Sequence, residues 1–164
     1  VLTSHLMSMM MDSTKILLLA NVALSFYLAG TIWAHEVDIF RSWKLIDSKD
    51  FQTVQRVHWS KLPYWIFTPL GLALIGSIGL IWGHPAGSPG WAIFGNLGCQ
   101  VLSLFLTAIF WGRWQGQLSK DSAGPNSIYL ARILNTHWVR TVLVNAYAFI
   151  MLAWAIKLFA QDSY

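Results

Sequence analysis

The chain has 164 residues, 55% of them hydrophobic and only 11% charged, with ten tryptophans. A soluble domain of this length carries about a quarter charged residues, so much of this surface is built to meet an apolar phase, and a lipid bilayer is the first expected partner. A single cysteine, Cys99, excludes an internal disulfide and any CxxC redox or zinc motif, and the net charge of +4 does not indicate nucleic acid, because the basic residues gather at the ends of apolar runs.

Taken in chain order, the first apolar run is Ile16–Ala34. It is long for the core of a signal peptide, and no small-x-small cleavage site precedes the polar segment after it, so it is read as a membrane span. The connection that follows contains "DSKDFQTVQRVHW", which opens on the capping residues Asp47 and Ser48. Phe51, Val54 and Val57 then recur at helical spacing, which predicts a short helix lying in the interface before Pro63 starts the next span. Span two, Leu62–Trp82, carries "GLALIGSIG", whose Gly71, Gly76 and Gly79 suit close helix packing. "GHPAGSPG" is a short uncharged turn into span three, Trp91–Trp111, where Cys99 reads as a buried, inert thiol. A second long connection is broken at "GPNS". Its end, "IYLARILNTHW", reads as a helical run-in to span four, Val139–Phe159.

Tryptophans 33, 59, 82, 91, 111, 138 and 154 mark the span ends, where indole rings favour the headgroup zone. The expected fold is all-α: a single integral membrane domain over 1–164, built as a four-helix bundle with a short interfacial helix in its first long loop. Arg41, Lys44, Lys49, Arg56, Lys61, Arg113, Lys120 and Arg132 fall on the side of the two long connections, against Lys15 and Lys157 on the other. The positive-inside rule therefore predicts cytoplasmic long loops and extracytoplasmic termini.

That topology brings four polar clusters to one end: "WAHEVDIFR", "QRVHW", "WGRWQ" and "THWVR". They contribute His35, Glu36, Asp38 and Arg41, then His58, then Arg113, then His137 and Arg140. Two readings compete. In one, these residues anchor helix ends, with Glu36 and Asp38 paired to Arg41, Arg113 or Arg140. In the other, they form a pocket in which His35, Glu36, His58 and His137 move protons. Arg140 and Arg113 would then hold an anion or enolate oxygen, and Trp33 and Trp138 would wall the site. On span four, His137, Thr141 and Asn145 rise at i, i+4 and i+8 as one polar stripe leading into that pocket. Asn21, Asn96 and Gln100 lie deeper, where polar side chains more often bond a neighbouring helix than a ligand.

His35, Glu36, His58 and His137 are donors of a type that suits zinc, iron or copper. Against this, adjacent residues point about 100° apart on a helix, and no HExxH or ExxH spacing occurs. Metal and cofactor are both left unknown at this stage.

"NTHWVRTVLVNAYAFIMLAWAI" resembles the last helix of the DUF1772 family, the anthrone-oxygenase-like four-helix membrane proteins. Members typically carry Asn, two further residues, then Arg and often Thr as that helix begins. The order of spans, the polar first loop and "FWGRWQGQL" at the end of span three fit the same pattern, which runs loosely from Asn21 to Phe159. Here His137 stands three before Arg140, where the family tends to have Asn, and Asn135 lies two residues too early. The resemblance implies Arg140 facing the bundle interior, and an oxidoreductase or oxygenase acting on a hydrophobic aromatic or phenolic small molecule. The rival expectation is a non-enzymatic membrane subunit or ligand-binding protein that presents tryptophan-rich faces within an oligomer or larger membrane complex.

Overall fold

The computed structural model describes residues 2–161, and the side chains of residues 13–161. Among these residues the chain is helix joined by turns, with no strand. Four helical rods, Ser13–Leu45, Ser48–Trp82, Gly90–Leu118 and Ile128–Gln161, are long and apolar enough to cross a membrane, and they make this an integral membrane protein. In lipid a chain must satisfy its own peptide groups, and a helix does so within each segment. At 1.5 Å per residue these rods reach roughly 44–53 Å, well beyond a hydrocarbon core of about 30 Å. Each expected span therefore lies inside a longer helix.

The first rod takes α1 (Leu2–Ala34) from Ser13 onward, then a π-turn at His35–Ile39, α2 (Phe40–Ser42) and a 3-10 turn at Trp43–Leu45. The second is α3 (Ser48–Leu62), a π-turn at Pro63–Phe67 and α4 (Thr68–Trp82). The expected helix in the first connection is therefore present, but it runs unbroken into span two. Pro63 has no N–H to give the preceding turn, and the helix widens there instead of stopping. The loosened carbonyls find side-chain donors: Thr68 Oγ1 donates to the Pro63 carbonyl at 2.8 Å, and the Tyr27 hydroxyl donates to the Trp65 carbonyl at 3.0 Å. Asp47 holds the extended N-cap position of α3, and its backbone carbonyl accepts the Asp50 and Phe51 N–H groups at 3.0 and 3.1 Å, but its side chain makes no capping bond. The third rod comprises α5 (Gly90–Leu106), a π-turn at Thr107–Trp111 and α6 (Gly112–Leu118); the fourth is the uninterrupted α7 (Ile128–Gln161).

α1 packs on α4 and α7, and α5 packs on the same two, closing a ring of four. Its membrane core includes Leu18, Leu28, Ala73, Leu80, Met151 and Trp154. Asn21 is buried there, its amide donating to the Ala73 carbonyl at 3.1 Å and its Oδ1 accepting the Tyr147 hydroxyl. Gly76 makes room for this: a Cβ at that position would collide with the Asn21 amide. Gln100 Nε2 donates to Ser77 Oγ at 2.6 Å, while the Asn96 amide donates to the Ala92 and Ile93 carbonyls of its own helix. These deep polar residues bond helices. Cys99 is a free, half-buried thiol.

A second core, of Phe40, Trp43, Phe51, Leu118, Leu130 and Ile133, sits at the end that carries the long connections. It clamps both connections down. Gly124, at φ 56°, lets the second connection approach the start of α3, where a Cβ would stand 3.4 Å from the Ser48 Cα. Asp121 ties the same connection together: its carboxylate accepts the Ser127 hydroxyl at 2.6 Å and the Ala123 N–H at 3.0 Å. Those two bonds hold the Asp121 carboxyl below the ordinary aspartate range.

Candidate functional site

Between the two cores, three rods each contribute a histidine. His35 and Glu36 open the π-turn of the first rod, His58 lies on α3, and His137 on α7. The His35 and His58 rings are 5.4 Å apart, and the Phe40 ring lies 5.3 Å from His35 and 4.6 Å from His137. Trp43 closes the group, 5.0 Å from His58 and 4.9 Å from Phe40.

Hydrogen bonds fix two of the rings. His35 Nδ1 lies 2.8 Å from the Thr31 carbonyl, and His137 Nδ1 lies 2.9 Å from Glu36 Oε2. Carbonyls and carboxylates only accept, so each Nδ1 carries a proton and donates it. In the neutral ring, Nε2 is then an acceptor. Glu36 has its second oxygen 2.9 Å from Arg41, whose Nε also donates to the Glu36 backbone carbonyl at 2.9 Å. Of the three partners expected for Glu36, the carboxylate takes Arg41, with His137 on its other oxygen, and pairs with neither Arg113 nor Arg140.

Unsatisfied polar atoms concentrate at this end. Nε2 of His35, His58 and His137, Nε1 of Trp59 and both amide atoms of Gln55 are buried without a partner; Gln100 Oε1, deeper in the bundle, is the one other such atom among the described residues. More than 90% of buried polar groups in native structures are paired. Such a cluster therefore marks where a ligand or water belongs.

The spaces beside these atoms differ in kind. A groove of about 660 Å³ lies between the first and second rods, walled by Phe26, Tyr27, Trp65 and Ile66, with His35 and His58 at its inner side. Behind those histidines is a narrow cavity of about 30 Å³, which His35, His58, Trp59, Gln115 and Arg140 line. A third space, about 40 Å³, lies on the other side of Arg140 and reaches Gln100, Ser103 and Tyr147. Arg140 makes no ion pair among the described residues. Its guanidinium sits 5.7 Å over the Trp111 ring, a separation at which the ring face attracts a cation. Trp111 is itself held by its indole N–H donating to Thr136 Oγ1 at 2.9 Å.

The other candidates stand apart. Arg113 and Asp38 are exposed, and Trp138 is 56% exposed; none of them lines these spaces. Trp33 and Asn145 bond each other at 3.2 Å on the outer seam of α1 and α7. Higher on the polar stripe of α7 the side-chain donors turn to their own helix, with Thr141 donating to the His137 carbonyl at 3.4 Å and the Asn145 amide to the Thr141 carbonyl at 2.7 Å. His137 packs behind Phe40 and lines neither the groove nor the narrow cavity. His84 lies in the short turn at the opposite end, and the His5 side chain is outside the described residues. No three His, Cys, Asp or Glu side chains among the described residues stand close enough to hold a metal ion.

Sequence reasoning did not single out Thr31, Phe40, Trp43, Gln55 or Gln115. Two of these were accessible from helical spacing, since Thr31 is four residues before His35, and Gln55 is three and four before His58 and Trp59. Comparison with protein-family models, with curated proteins and with solved structures finds no match for this chain.

Proposed function

We propose that this protein is a small membrane enzyme, an oxygenase or oxidoreductase, that takes a hydrophobic aromatic or phenolic molecule from the bilayer into the groove between its first two rods. The observation that carries this reading is the groove itself. At about 660 Å³ it falls within the usual range for ligand pockets, its walls are aromatic and aliphatic, and two histidines stand at its inner side. Its position between spans gives a lipophilic molecule lateral entry.

In the proposed chemistry His35 is the base. Its Nδ1–H is committed to the Thr31 carbonyl, so Nε2 is the atom free to take a proton from an acidic O–H or an activated ring methylene. Negative charge then builds on the substrate oxygen, toward the Arg140 guanidinium behind the histidines. Oxidation of such a methylene to a carbonyl consumes one dioxygen and releases one water. Membership of the DUF1772 family is part of the proposal; it rests on Arg140–Thr141 at the head of the last span and on the aromatic–basic end of span three. So is orientation, with the histidine end facing the cytoplasm, as the surplus of Lys and Arg there supports.

The test is oxygen uptake by the purified protein in nanodiscs supplied with anthrone, alongside His35→Phe and His58→Phe. Uptake lost in the His35 variant supports the reading. Anthrone bound without turnover would favour a ligand-binding subunit, a reading to which the exposed Trp33, Trp65, Trp82, Trp91 and Trp138 also lend support. Absence of binding would overturn both.

A further inference from the structure

We propose that the narrow cavity beside Arg140 is a binding site for a monovalent anion, filled by a free ion or by the ionised oxygen of a molecule in the groove. The second source rests on the function proposed above; the first does not.

The inference begins with charge balance. A guanidinium keeps its proton in any protein environment, and a charge inside a bundle is retained at a cost unless it is paired. The Trp111 face offers partial relief at 5.7 Å, close to the outer limit of about 6 Å for such contacts. The nearest carboxylate in the cluster, Glu36, is committed to Arg41 and His137. Asp38, Asp47 and Asp50 are exposed, and Asp121 is bound into the second connection. No described carboxylate remains for Arg140.

The neighbouring groups are those that would hold an anion. Trp59 Nε1–H can only donate, and it is buried without an acceptor on the wall that Arg140 also lines. The Gln115 amide on the same wall adds N–H donors, and the unpartnered His58 Nε2 can turn a proton toward the ion when its ring takes that tautomer. His35 Nε2 accepts, so it calls for a hydrogen donor, which a water beside the ion supplies. The space agrees: a water takes about 10–15 Å³ by this measure, and the cavity has about 30 Å³, enough for one small ion with one water. The space on the far side of Arg140 does not compete, because its orphan atom, Gln100 Oε1, is a neutral acceptor that a bridging water would satisfy without balancing charge.

The experiment is chloride NMR line broadening by the full chain in nanodiscs of zwitterionic lipid, with bromide, decanoate and decanol as competitors. Broadening should be present in the wild type, fall to the buffer value in Arg140→Gln, weaken in Trp59→Phe and persist in Arg132→Gln. Displacement by bromide and not decanoate identifies a free-ion site, whereas displacement by decanoate and not decanol identifies a site for an amphiphile's acidic head. Equal broadening in wild type and folded Arg140→Gln would overturn the proposal. If Arg140→Gln does not fold, unchanged broadening in Trp59→Phe overturns it instead. Chloride bound normally by a protein that fails to bind anthrone would count against the proposed enzyme and leave the anion site standing.

Discussion

Replacing Glu36 with leucine isolates the one carboxylate that reaches the histidine cluster. The substitution leaves His137 Nδ1–H without an acceptor at a side chain only 1% exposed. Stranding a buried neutral donor costs about 1–3 kcal/mol. The contact to Arg41 adds little, because that guanidinium is 57% exposed and such pairs contribute roughly 0–1 kcal/mol. Glu36→Gln keeps an acceptor for the imidazole and should cost less, about 1 kcal/mol. Asp38→Leu, two residues on and exposed, should stay within about 0.5 kcal/mol of wild type. Reversible unfolding in mixed micelles measures each difference. The decisive comparison is the cycle of Glu36→Leu, His137→Phe and the double variant, since removing both partners of a buried bond is far less damaging than removing one. A coupling of about 1–3 kcal/mol is expected. Strictly additive losses would refute the claim that Glu36 and His137 act as a pair.

Gly76→Ala should destabilise by about 1–3 kcal/mol in the same assay, because its methyl meets the Asn21 amide, while Gly71→Ala, with open space at its Cβ, should not. In a Cys99→Ser background, cysteines at the exposed Ser48 and Ser122 should label from the cytoplasm and one at the exposed Ala86 should not; the reverse pattern would invert the orientation. The Asp121 carboxyl has its folded value depressed below its ordinary 3.8, so its hold on the second connection is complete above that pH and is lost as pH falls through the folded value. The protection of the Ala123 N–H, taken against its intrinsic exchange rate at each pH, should fall over that acid range, and in Asp121→Ala it should be lost at every pH.

How far the fold could be read in advance follows from what lipid demands. Four apolar runs bounded by tryptophans admit little besides four helices, and the gathering of His35, His58 and His137 follows from topology alone. Rotation of each side chain about its helix was harder to read. Regular α spacing puts His35 and Glu36 about 100° apart, yet both join the cluster, one through His58 and the other through His137. Pro63 marked a helix boundary, but the chain passes it as a widened turn. Arg113 and Arg140 look alike as span-end cations, and only packing leaves one exposed and the other between two narrow spaces. Aromatic contacts such as Phe40 on His137 join residues nearly a hundred positions apart, with no local signal.

The π-turns at His35–Ile39, Pro63–Phe67 and Thr107–Trp111 fall in three of the four rods, all at the end that bears the histidines. Each holds one residue more than an α-helical ladder would over the same rise. Deleting that residue would turn everything beyond it by about 100° while leaving the lipid-embedded half unaltered. The histidine end is thus joined to the membrane end through three places where a gain or loss of one codon re-aims an entire wall. In a lineage adapting to a ligand of new shape, change at this level would show up as single-residue insertions and deletions, ahead of substitutions in the walls themselves.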